Sequence, residues 1–278
     1  MASSSPSPVP APLIPAAQSP KTTKRRFATV RTIGALILRE MSTRYGRTPG
    51  GYVWAILEPL AAIMVLSIGF SLVIRTPSLG TSFLLFYATG FLPFNLYQTI
   101  SLTTARAIEY SRPLLRYPAV TWVDAILARF LLNSLTGILV TFLLIGGILI
   151  AIDSRTLLDL PVAILSMALA MLLGLGVGVM NCTMMGLFPI WDVVWSIITR
   201  PLFIASGILF TYEDLPPMAQ EFLWYNPLIH IGGLMRSGFY PTYTASYVSI
   251  PFVLFSALIL FTAGLILMRR YHRVILNR

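Results

Sequence analysis

Residues 44–60 read Arg-Tyr-Gly-Arg-Thr-Pro-Gly-Gly-Tyr-Val-Trp-Ala-Ile-Leu-Glu-Pro-Leu and join a basic, polar stretch to the first long apolar segment. Arg44 and Arg47 stand on the water side. Pro49, Gly50 and Gly51 break any helix that precedes them. Tyr52 and Trp54 then fall at the membrane–water boundary, where amphipathic rings sit best. Glu58 is a carboxyl about one turn further in, and hydrocarbon does not accept it without a partner or water. Pro59 removes one backbone donor from the new helix. A helix entrance with an aromatic anchor accounts for the rings, but for neither the acid nor the broken first turn.

The rest of the composition points the same way. Of 278 residues, 56% are hydrophobic and 11% charged, against roughly 25% charged in a soluble domain. Mean hydropathy is +0.78. Apolar runs of about 20 residues, enough for a span, recur along the chain. The fold class is therefore an all-α polytopic membrane protein with six transmembrane helices. A net charge of +10 would suggest nucleic acid in a soluble protein. Here it serves orientation, and no nucleic-acid partner is expected. Cys182 is the sole cysteine, and His230 and His272 lie far apart, so no metal site is expected.

Taken in order, residues 1–27 form a Pro/Ser-rich arm ending in a basic cluster, Lys21, Lys24, Arg25 and Arg26. The arm is expected to be disordered, and it lacks the apolar core of a secretory signal. Residues 28–48 carry Val30, Ile33, Ile37 and Met41 at helical spacing with polar residues opposite, too polar to span, which predicts an interfacial helix. Glu40 and Arg44 are placed to pair within it. Residues 49–278 form the transmembrane domain. Its spans are expected at 52–74, 83–104, 126–152, 160–186, 193–210 and 250–268. The second contains Gly90, Pro93 and Asn95 among aromatics. The fourth contains Gly174, Gly176 and Gly178, which permit close helix packing. A tight turn follows the third span at 153–156. Between the second and third, Arg106, Glu109, Arg112 and Arg116 recur as on one face of a short loop helix. Residues 211–247 are too long for a turn and too apolar for a free loop. Two short helices broken at Asn226-Pro227 and dipping into the interface fit them.

Six spans place fifteen Lys and Arg residues on one side and Arg75, Arg155 and Arg236 on the other. The basic side is cytoplasmic, with both termini on it. Catalytic motifs are missing from the sequence. It has no G-x-x-x-x-G-K-[ST] phosphate loop, no H-E-x-x-H and no serine elbow, and the acids Glu58, Asp124 and Asp192 are dispersed. Transport, a channel, an intramembrane transferase or a scaffold remain.

Arg44–Leu60 resembles the opening motif of the membrane subunits of ATP-driven capsular polysaccharide exporters, permeases of the second ATP-binding-cassette exporter class. Tyr225–Tyr240 (YNPLIHIGGLMRSGFY) resembles the second signature of that family, before the last span. The similarity extends over residues 28–275. It implies six spans, a homodimer in the bacterial inner membrane, and two separate cytoplasmic ATPase subunits that supply ATP and Mg. The chain itself would need no cofactor and would not be an enzyme. The cargo would be a lipid-linked, usually acidic polysaccharide, handed to periplasmic and outer-membrane export components. Arg39 and Arg44 on the interface helix, and Arg106, Glu109, Arg112, Arg116 and Tyr117 on a coupling helix, would meet the ATPase. Trp224, Tyr225, Asn226, His230 and Arg236 would belong to re-entrant helices at an outer gate.

A sliding polymer needs many weak contacts, with sugar C–H faces on aromatic rings and acid groups on cations. Tyr52, Trp54, Tyr87, Phe91, Phe94 and Tyr97 suit such a wall, with Glu58 beside them and Arg47 and Arg75 at its two ends. Each ring also suits helix packing or interface anchoring, and each arginine suits head-group anchoring. A permease for another lipid-linked glycan, such as O-antigen or teichoic acid, shares most of these features. An intramembrane glycolipid-processing enzyme would need paired acids or a metal motif, and a scaffold would need neither Glu58 nor the 211–247 region.

Overall fold

A computed structural model of the chain describes residues 28–44, 50–115, 120–152 and 158–277. The basic arm, Arg47, Arg116, Tyr117, the turn at 153–156 and the side chain of Arg44 lie outside what it describes. Regular structure among the described residues is entirely helical.

Helix α1 (Ala28–Arg44) packs on the start of α5 (Trp122–Ile152). Its inward stripe is shifted from the expected one. Leu36 is buried, Ile33, Ile37 and Met41 are half-buried, and Val30 is exposed. Gly50 and Gly51 take φ of 91° and 46°, a region glycine enters without steric cost. They form the expected break before α2 (Val53–Ser71). The chain then runs through α3 (Phe83–Ala105), the five-residue α4 (Ala107–Ser111), α5, α6 (Leu160–Leu187), α7 (Trp191–Ala205), α8 (Pro217–Leu223), α9 (Pro227–Phe239) and α10 (Ile250–Asn277). α5 begins four residues before the expected 126. Thr121 and Asp124 cap one another there: the Asp124 carboxylate accepts from the Thr121 amide at 3.0 Å, and the Thr121 hydroxyl accepts from the Asp124 amide at 3.2 Å.

Among the described residues, four helices are long and apolar enough to cross a membrane: α2, α5, α6 and α10. α3 has the length, 23 residues, but Asn95, Gln98 and its threonines dilute its apolar character. α7 has only 15 residues, about 22 Å at 1.5 Å per residue, less than a span requires. It stops five residues before the expected Phe210, where Ser206 and Gly207 (φ 72°) turn the chain.

α6 is the axis of the bundle. Of its most apolar window 61% is buried, against 11% for α2 and 17% for α10. The predicted glycine seam explains why. A Cβ at Gly174 would stand 2.9 Å from the Tyr97 carbonyl, and one at Gly176 would stand 2.5 Å from the Ala257 carbonyl. α3 and α10 thus approach α6 backbone to backbone, where dispersion contacts are densest. α9 fills the end of the bundle where α6 begins. Eleven of its thirteen residues are buried. The Ser166 hydroxyl donates to its Ile231 carbonyl at 2.8 Å, and the Asp159 amide donates to its Gly238 carbonyl at 2.9 Å.

Candidate functional site

The residues singled out from the sequence fall into three zones. At the basic end, the charges around α4 diverge instead of sharing one face. Arg106, between α3 and α4, bridges to Asp192 at the start of α7, at 3.1 Å. Arg112 turns the other way and donates to the Ile275 carbonyl near the end of α10, at 3.5 Å. Glu109 stays exposed. With Arg112, Asp192 and Cys182 it borders a cavity of about 410 Å³ between α4, the α6–α7 turn and α10. Arg39 is exposed on α1. Its neighbour Glu40 reaches out of its own helix: its carboxylate takes the Arg129 guanidinium at 2.8 Å, 89 positions away. Arg129 also donates to the Thr103 carbonyl at 3.2 Å and lies over the Tyr110 ring at 4.7 Å. Arg129 and Asp192 carried no weight in the sequence, because helical periodicity reports only on neighbours three or four residues apart.

In the middle zone, the aromatics expected on one wall separate by depth. Tyr52 and Trp54 are exposed, Trp54 at 53%, as are Glu58 and Arg75. Phe91 is half-buried, while Tyr87, Phe94 and Tyr97 are buried inside the subunit, Tyr87 at 1% exposure. Tyr87 meets Phe70 of α2 at 5.4 Å between centroids, and Phe94 sits edge-on to Phe203 of α7 at 5.5 Å. Phe91 meets Phe203 as well, at 6.4 Å. The rings of α3 therefore join α3 to its neighbours, and Tyr52 and Trp54 face outward on α2. α7 contributes no buried residue at all. Asp192, Ser196, Thr199 and Arg200 follow one another along it at helical spacing, and Arg200 is exposed near its middle.

At the end of the bundle opposite the basic one, the expected gate residues form a tightly bonded knot. Asn226 caps α9, accepting from the Leu228 amide at 3.1 Å, and its amide donates to the Ala205 carbonyl at the end of α7 at 2.9 Å. Trp224 stacks on Phe252 at 5.1 Å, and Tyr225 is exposed. His230 Nδ1 accepts from the Ser249 amide at 3.2 Å. Its other nitrogen, Nε2, is therefore the protonated one and donates to the Trp224 carbonyl at 2.7 Å. Arg236 is 2% exposed. It donates to the carbonyls of Ile208 and Phe210 at 3.0 and 2.8 Å and lies over the Phe86 ring at 4.2 Å. Gly90 makes room for it, since a Cβ there would stand 3.0 Å from its Nη2. Arg236 thus holds in place the backbone that leaves α7. Outside the knot, the Tyr243 hydroxyl donates to Glu213 at 2.9 Å. Burial alone would raise the Asp214 carboxyl, but hydrogen bonds from Thr211 and Ser78 hold it below the usual carboxylate range.

A long apolar bundle with a basic end, a bonded knot at the opposite end and two loosely covered helices fits a polytopic membrane protein. The chain matches the family described as ABC-2 type transporter over residues 31–240, and it belongs to that family. It is 31% identical over 246 residues to the polysialic acid transport protein KpsM of Escherichia coli, covering 88% of this chain and 95% of the relative. It is 28% identical over 260 residues to the capsule polysaccharide export inner-membrane protein BexB of Haemophilus influenzae, covering 91% and 96%. It is 27% identical over 247 residues to CtrC of Neisseria meningitidis, which carries the same description, covering 87% and 92%.

Proposed function

We propose that this chain is the inner-membrane permease subunit of an ATP-driven exporter of lipid-linked capsular polysaccharide, acting as a homodimer with two separate cytoplasmic ATPase subunits. The observation that carries this reading is the end-to-end similarity to proteins described as capsule polysaccharide exporters. A permease for another lipid-linked glycan is the alternative, and the identity of the exported polymer separates the two.

The geometry supports the reading at three places. Six spans require α3 to cross alongside the four longer helices, and α7 to cross together with the residues that follow it to Phe210. Arg200 in mid-α7 would cost about 2.5–3.5 kcal/mol in lipid, so its stripe faces a second copy or a wet path. The exposed rings of Tyr52 and Trp54 on α2 border the same path. At the basic end, Arg106 and Asp192 tie the α3–α4 junction to α7, and Arg112 ties the end of α4 to α10. A push on α4 from an ATPase would therefore be shared among four helices. The outer knot around Trp224, His230 and Arg236 is the gate, opened by moving α8 and α9 as a unit.

Co-purification tests the assembly: the ATPase encoded beside this chain should elute with it in equal amount, and its failure to bind would refute the reading. For coupling, Glu109→Lys should leave dimer recovery intact and uncouple ATP hydrolysis from export. Ser111 is buried, so a cysteine at exposed Tyr110, on a Cys182→Ser background, is the better reporter of sidedness. Labelling of Tyr110→Cys from outside intact cells would refute the six-span orientation.

A further inference from the structure

Two helices that lean on α3 are left almost uncovered. α7 has no buried residue, and only Pro59 and Ile63 are buried on α2. α2 touches α3 through Phe70 on Tyr87 at 5.4 Å, and α7 touches it through Phe203 on Phe91 and Phe94 at 6.4 and 5.5 Å. Glu58, Ala61, Val65 and Ile68 follow one another along the exposed face of α2 at helical spacing. Val193, Ile197, Arg200 and Ile204 do so on α7. Each face is thus apolar around a single charge. Glu58 is the only ionisable residue on α2. The other charge on α7, Asp192, is already bonded to Arg106. Glu58 and Arg200 have no hydrogen bond or ion pair among the described residues.

The two charges match in depth. α2 and α7 both run antiparallel to α3, so α3 serves as a common scale. Twelve residues back from Phe70, which meets Tyr87, Glu58 comes level with Thr99. The two indeed border one cleft, about 320 Å³, together with Asn95 and Gln98. Eight residues on from Asp192, which meets Arg106, Arg200 comes level with Gln98. Three residues back from Phe203, which meets Phe91 and Phe94, it comes level with Asn95 and Leu96. Both reckonings place Arg200 within four residues of Glu58 in depth, about 6 Å at 1.5 Å per residue. That is within the joint reach of a glutamate and an arginine side chain.

We infer that Glu58 of one copy pairs with Arg200 of a second copy, and Arg200 with the second copy's Glu58, so that α2 of each subunit seats on α7 of the other. The inference rests on the homodimer proposed above and names the contact that holds it. A two-fold axis along the membrane normal returns every residue at its own depth, so only charges of matched depth can meet across it. Neither charge is stable alone against lipid, and intramembrane acids and bases pair with one another. The guanidinium fork takes a carboxylate by two hydrogen bonds. Ala61 lets the helices approach closely beside the pair. A water-filled path would need polar groups along its length, whereas Val65, Ile68, Val193 and Ile197 are apolar and exposed.

The test uses two differently tagged copies of the full chain, both Cys182→Ser, produced together with the neighbouring ATPase. One carries Glu58→Cys and the other Arg200→Cys, so no disulfide can form within a copy. After oxidation in the membrane, the disulfide-linked pair of tags should exceed by about tenfold that from Arg200→Cys with Phe142→Cys, an exposed position on α5. Equal yields would overturn the inference. So would free labelling of both cysteines by a membrane-impermeant thiosulfonate without cross-linking, which would assign the two faces to a wet path. Charge reversal tests the pair itself. Arg200→Glu should lower the dimer fraction in native mass spectrometry about tenfold through like-charge repulsion, and adding Glu58→Arg should restore it. No recovery, with monomer still obtained in full yield, would overturn the pairing. An unaltered chain that elutes with its ATPase as a single copy would refute the homodimer itself, whereas a dimer without the Glu58–Arg200 link refutes only this interface.

Discussion

Replacing Gly176 by alanine should destabilise the protein, while the same change at Gly146 should not. A Cβ at Gly176 would stand 2.5 Å from the Ala257 carbonyl oxygen and 3.3 Å from the Phe261 amide. Both are backbone atoms of α10, and neither can rotate aside. α6 and α10 would have to part by several tenths of an ångström, and the dispersion contacts along their seam would weaken together. Overpacking of this kind costs about 1–3 kcal/mol. At Gly146 no atom lies within 4 Å of the added carbon. Alanine gains up to about 1 kcal/mol of helix propensity over glycine at either position, so that term cancels between the two variants. The difference between them isolates the steric cost. For a chain of this size it corresponds to roughly 2–12 °C in melting midpoint. Cys182 is the only cysteine and is 3% exposed, so a fluorogenic maleimide reports unfolding on a temperature ramp. Gly176→Ala should melt below Gly146→Ala by that margin. Coincident midpoints, or the reverse order, would refute the backbone-to-backbone seam.

The Arg129–Glu40 pair should show coupling in a double-mutant cycle: Glu40→Gln and Arg129→Met each lower the midpoint, and the double variant loses less than their sum by about 0.5–3 kcal/mol. Strict additivity would mean that the two side chains do not interact. Arg236→Lys should melt well below the unaltered protein, because one ammonium cannot reach both carbonyls or lie flat on Phe86; a normal midpoint would remove its clamping role. Because the Asp214 carboxyl is held below its usual range, its contribution to stability is complete above the unfolded carboxylate value near about 3.9 and is lost as pH falls through the lower folded value. Asp214→Asn should flatten the melting profile in that acid range only, and an unchanged profile would show that the Thr211 cap carries no linkage. Trp54→Ala should lower surface polymer per unit of extracted dimer, since an exposed ring contributes little to packing; an unchanged ratio would leave Trp54 as an anchor.

Hydropathy along the chain sufficed to place most of the helices, because a residue's preference for lipid or water is local and sums over a window. The break at Gly50-Gly51, the glycine seam of α6 and the interruption at Asn226-Pro227 were equally legible, since each depends on what one residue's backbone or missing side chain permits. Partnership across the bundle was not. The Glu40–Arg129 pair spans 89 positions, and Arg106 and Arg112 leave a shared face for Asp192 and Ile275. Tyr87, Phe94 and Tyr97 look in the sequence like Tyr52 and Trp54, yet they pack inward while the latter face out. α3 carries both a ring-lined face and an amide-lined face, and only its rotation against α2, α5 and α7 decides which of them packs and which borders a cleft. That rotation is set by the close approach of α3 to α6 at Gly174 and Gly178, a constraint from a segment some eighty residues away.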